Sequence, residues 1–150
     1  MRAWTRSLVI VMGALTGTIG LWAGFWPKSF YEHGPIPLLD TGWVAMLPPY
    51  NEHLVRDYGF MNLAVTVISV VAAIVMSPLI VRTAATAVIT FGLPHMLFHS
   101  FHLEHMSTAD AILLTTTNSL LTILLPATVF AMAGQLHPAG TQRQFLRNVT

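Results

Sequence analysis

Tyr58 to Met76 reads YGFMNLAVTVISVVAAIVM, a run without one charged side chain and rich in valine, isoleucine and alanine. A helix that crosses a hydrocarbon core of roughly 30 Å needs about 20 mostly apolar residues, and this stretch has that length. Its strongly polar side chains are Asn62, Thr66 and Ser69. The run therefore reads as a membrane-spanning helix, and the rest of the chain can be read outward from it.

Further segments of the same character run from about Leu8 to Trp26, about Thr83 to Phe101 and about Ala109 to Met132. The expected fold is all-α: an integral membrane, up-down four-helix transmembrane bundle in one domain over residues 1–150, with spans at about 8–26, 58–76, 83–101 and 109–132. Composition agrees, since 54% of the residues are hydrophobic and 9% charged, far from the balance of a soluble domain. A net charge of +1 with dispersed basic residues lacks the footprint of a nucleic-acid binder. The chain has no cysteine, which excludes disulfides, thiolate metal sites and dithiol redox chemistry.

Orientation follows from the basic residues, which are retained on the cytoplasmic side. Arg2, Arg6, Arg82, Arg143 and Arg147 fall at one side of the bundle, Lys28 and Arg56 at the other, together with all six acidic residues. Both termini are thus expected in the cytoplasm of a multi-pass cell-membrane protein, with a polar tail over residues 135–150. A competing reading makes the first segment a cleaved signal peptide, but position 21, which should be small for cleavage after Ala23, is Leu21. Gly13, Gly17, Gly20 and Gly24 recur there at helical spacing and make a smooth stripe suited to close helix approach. It is a docking face for a membrane protein partner or for a second copy in a homo-oligomer.

The connection over residues 27–50 holds Pro27, Pro35, Pro37, Pro48 and Pro49 with Phe30, Tyr31 and Trp43. Proline interrupts regular structure, so it reads as a loop, its aromatic rings suited to the membrane interface, that caps the outer end. Asn51 and Ser107 or Thr108 are expected helix caps, and Pro94 and Pro126 should kink their helices.

The most informative polar stretches meet at that outer end. On a helix, His95, His99 and His102 are spaced i, i+4 and i+7, as are Glu52 with Arg56 and His53 with Asp57 at i, i+4. An ionisable group in hydrocarbon is costly, so such groups usually face the interior, pair, and mark a site or pathway. Three readings of the histidines stay open: metal ligands completed by Glu52 or Asp57, proton carriers exchanging with those acids, or structural groups at a helix C-terminus. Asn62 and Asn118 lie deeper, at matching depth, either as interhelical hydrogen bonds or as the inner part of a polar path. No nucleophile motif, phosphate loop or dinucleotide fingerprint is present.

The stretch Arg56-Asp57-Tyr58-Gly59 running into Asn62-Leu63-Ala64, with the four-span layout, resembles the small bacterial four-helix membrane proteins described as DoxX-like. The resemblance implies an up-down bundle and, for some members, an accessory role beside respiratory or sulfur-oxidising quinone enzymes. Two functional expectations result. One is an outward-facing His/acidic chamber holding a metal ion, or a quinone or lipid headgroup, under the proline-rich cap. The other is a non-catalytic structural or assembly subunit of a larger membrane complex, docked through the glycine stripe.

Overall fold

The structure, a computed structural model, describes residues 1–47 and 49–136. Its helices are α1 (Arg2–Phe25), α2 (Pro27–His33), α3 (Glu52–Val75), α4 (Pro78–Ser100), α5 (Thr108–Asn118) and α6 (Leu125–Ala133); a π-helical stretch, Ser119–Leu124, makes α5 and α6 one continuous rod. Among the described residues four helices are long and apolar enough to cross a membrane, the last being that rod over Thr108–Ala133. Between 17% and 33% of each apolar stretch is buried inside the bundle, so most of the valine, leucine and isoleucine surface points outward. Only a lipid solvent suits such an exterior.

α3 and α4 begin six and five residues before the apolar runs do, and side chains close the first turns of α3, α4 and α5. Asn51 accepts from the Leu54 amide at 3.2 Å, Ser77 from Ile80 at 3.3 Å and Ser107 from Asp110 at 3.2 Å. Each satisfies a backbone donor that would otherwise be orphaned. Pro27, expected to break structure, instead starts α2, since proline's fixed φ and missing N–H suit a first helical position. Part of the connection over residues 27–50 is therefore helical, and a 3₁₀ turn follows at Trp43–Met46. The tail from position 137 on lies outside the described residues, but Leu136 is buried in the core and does not belong to a polar tail.

Side-chain contacts set the packing. Gly13 faces Ser69, Gly17 faces Thr66, Gly20 faces Leu63 and Gly24 faces Phe60, so α1 and α3 run antiparallel in close register. At Gly59 a methyl group would collide with the Gly24 backbone nitrogen, a contact only glycine allows. The glycine stripe is thus consumed inside the chain, and the docking face expected from it does not exist; spacing shows that a helix can be approached closely, not by which helix. Thr16 and Thr66 add a hydrogen bond of 2.8 Å across the same seam.

On the other side, a methyl group at Gly92 would stand 2.6 Å from Thr122 Cβ, and the Arg82 guanidinium lies 5.2 Å over the Phe130 ring, so α4 and the last rod also run antiparallel. The π stretch falls in the turn before Pro126, where the missing proline N–H removes a helix hydrogen bond.

Small side chains fill the end of the bundle away from the α2 connection. There Val9, Met12, Val81, Ala84, Val129 and Ala133 pack as one buried cluster. Toward the connection the buried cluster thins to Ala23, Phe30 and Val55. Drawn against α3 by its glycines, α1 touches α6 but makes no comparable contact with α5. The space left between them is a cavity.

Candidate functional site

The cavity has a volume of about 750 Å³ and reaches from the α2–α3 connection down to Asn62 and Asn118. Sites that take small organic ligands have this size and are mostly apolar with a few polar groups. Tyr58, Phe91 and His95 form one wall as a stack of rings: His95 lies 4.9 Å from Phe91 and 6.1 Å from Tyr58, at interplanar angles of 29° and 23°. His99 stands edge-on to His95 at 4.5 Å. The α1 and last-rod sides are lined by Leu15, Ile19, Leu114 and Leu121 with threonines and Asn118 between them.

The lid is the α2–α3 connection. Trp22 Nε1 donates to Ser29 at 3.1 Å, Phe30 lies 5.8 Å from Tyr58, and the Trp43 amide donates to the Gly34 carbonyl at 3.1 Å. Trp43, 2% exposed, sends its indole N–H to Asp110 at 3.0 Å, while Asp110 also accepts from Ser107 at 2.6 Å. The buried ring is thereby pinned to the start of α5.

Of the residues singled out from sequence, His95, His99, Asn62 and Asn118 line this cavity together. Glu52, His53, Arg56, Asp57 and His102 do not. Arg56 bonds Glu52 at 2.8 Å and donates to the Gly24 carbonyl at 2.6 Å, closing the C-terminal end of α1. His53 and Asp57 pair with each other at 3.4 Å on the exposed surface. The single His/acidic chamber is therefore corrected: helix rotation puts the acids outside and two histidines inside.

His102 departs for a different reason. Because α4 ends at Ser100, the i+7 position has left the helix. Its ring stacks on Phe98 at 4.1 Å, with Nδ1 2.7 Å from the Phe98 carbonyl. Among the described residues no group of three or more His, Asp or Glu side chains comes together to hold a metal ion. The metal site expected at His95, His99 and His102 with a carboxylate finds no donor set among those residues, and no hydrogen bond or ion pair among the described residues joins His95 or His99 to Glu52 or Asp57.

The asparagines also differ from expectation. Asn62, 6% exposed, donates to the carbonyl of Tyr58 at 2.9 Å within its own helix. Asn118 Nδ2 and His99 Nδ1 are buried and have no hydrogen-bond partner. An unsatisfied buried polar group costs about 1–3 kcal/mol, so each calls for a reason. The ring wall of Tyr58 and Phe91 was not singled out from sequence, and Trp43 was read there only as an interfacial ring of the cap; aromatic residues near His95 and in a proline-rich connection were the available signal.

Comparison with protein-family models, with curated proteins and with solved structures finds no match to this chain.

Proposed function

We propose that this protein is a ligand-binding module of the cell membrane, both termini cytoplasmic, whose internal cavity takes a small, mostly apolar molecule beneath the α2–α3 lid. The observation that carries the reading is the coincidence of a ligand-sized cavity with unpartnered polar atoms on two of its lining residues, Asn118 Nδ2 and His99 Nδ1. A buried amide or imidazole is kept unpaired at a cost in stability, and a ligand oxygen or hydroxyl would offset that cost on binding. The stacked rings of Tyr58, Phe91 and His95 offer a flat surface to an unsaturated or cyclic head.

The test is native mass spectrometry of the protein released from mild detergent, with solvent extraction of whatever accompanies it. A small molecule retained by wild type and lost from an Asn118→Leu/His99→Leu variant is expected. Wild type that carries nothing and whose melting temperature no extract of its own membranes raises would overturn the reading, and would favour an assembly role.

A further inference from the structure

We infer that the cavity is filled sideways from the bilayer, through an opening between α1 and α5, and that its occupant is an uncharged amphiphile whose head carries a hydrogen-bonding oxygen. The inference rests on the ligand-binding reading above and adds the source and chemical class of the ligand.

The opening follows from the packing. Glycines draw α1 against α3 along its length, and α1 meets the last rod mainly at α6. On either side of the gap stand Thr18 of α1 and Leu113 and Leu121 of the last rod, which line the cavity and are also exposed on the outer surface. At the level of the spans, that outer surface faces lipid. The lid covers the end nearest water, with Phe30 and Trp43 buried and Trp43 bonded to Asp110.

Charge decides the class. Among the described residues no Asp, Glu, Lys or Arg lines the cavity. A charged head would have to leave water with no counter-ion to meet it, which the membrane interior does not allow cheaply. Of the polar groups that are present, His95 and His99 lie toward the end of α4, whereas Asn62 and Asn118 lie deep, each ten residues into helices starting at Glu52 and Thr108, about 15 Å below the helix starts at ~1.5 Å per residue. Only a neutral head follows its tail to that depth. Asn118 brings a donor without an acceptor, so an oxygen is the complement.

The experiment uses the full chain in liposomes with a long-chain alcohol carrying a photoreactive diazirine, and analogues of the same chain ending in a carboxylate or a trimethylammonium group. Adducts are mapped by mass spectrometry. The alcohol should label the 113–122 segment in a manner that excess unlabelled alcohol abolishes, and the charged analogues should label it about tenfold less or below. Thr18→Trp, which fills the mouth, should remove this labelling, as should Leu113→Trp from the facing helix. Ile74→Trp, on an exposed lipid-facing position of α3, should leave it intact and shows that an added indole does not itself unfold the bundle.

Competable labelling that survives both mouth variants would overturn the lateral route while leaving ligand binding in place. Equal labelling by the charged analogues would overturn the neutral class. A ligand retained in native mass spectrometry without any competable labelling by the alcohol would overturn this inference alone; loss of both results would overturn the ligand-binding reading as well.

Discussion

The indole N–H of Trp43 donates to the carboxylate of Asp110 across 3.0 Å, and this bond joins the connection between α2 and α3 to the first turn of α5. Elsewhere α5 has little to hold it toward α1. The bond therefore spans the roof of the cavity from one side to the other, and the lid depends on it.

Trp43→Phe keeps a buried ring and deletes the donor. The bond ties the lid to α5, so thermal melts in detergent should show a lower melting temperature than wild type. Limited proteolysis should cut within residues 34–47 faster than in wild type. Unchanged melting and cleavage would show that the lid is held by packing alone.

The glycines should rank by what their missing side chains would meet. Gly59→Ala drives a methyl group into the Gly24 backbone of α1, which cannot yield without separating the helices, whereas Gly17→Ala meets the Thr66 methyl at 3.2 Å. Overpacking costs about 1–3 kcal/mol, and Gly59→Ala should reach the top of that range or beyond while Gly17→Ala falls below about 1 kcal/mol. Equal melting temperatures for the two variants would contradict the α1–α3 register.

Asn118→Leu should separate stability from binding. Removing a buried amide donor that has no partner relieves a penalty of about 1–3 kcal/mol, so the empty protein should melt at the same or a higher temperature than wild type. Retention of the co-purifying ligand should fall at the same time. A variant that loses stability and keeps its ligand would place Asn118 in the packing and not in the site.

Arg56 and Glu52 should be unequal partners. Their ion pair is exposed, and such pairs contribute about 0–1 kcal/mol, so Glu52→Gln should be nearly silent. Arg56 also donates to the Gly24 carbonyl at 2.6 Å, where α1 ends. Arg56→Met leaves that carbonyl unmet and should cost more than Glu52→Gln in the same melts; the reverse order would refute a capping role for Arg56.

Orientation can be read with a single thiol, because the chain has no cysteine. Leu38 lies in the lid connection and is fully exposed. With both termini in the cytoplasm, Leu38→Cys should react with a membrane-impermeant maleimide added outside intact cells. Reaction only after permeabilisation would reverse the assigned orientation.

The solvent and the number of crossings were legible in the chain itself. Apolar runs such as Tyr58–Met76 are set by composition and length, which a bilayer reads without reference to anything distant. The helix caps at Asn51, Ser77 and Ser107 are equally local, since each acts on a backbone N–H three residues on. His95 and His99 were legible as a pair because both lie on the regular part of α4.

What only the tertiary structure decided is which way each face points. Periodicity puts Glu52 with Arg56, and His53 with Asp57, on shared faces, yet the rotation of α3 depends on where the α1 glycines lock against it, and that turns the acids outward and Tyr58 and Asn62 inward. The same lock uses the stripe of Gly13, Gly17, Gly20 and Gly24 within the chain, pulls α1 from α5 and leaves the cavity. Spacing along one helix cannot encode that outcome, because close packing is a property of two surfaces together and the second surface lies about 50 residues away.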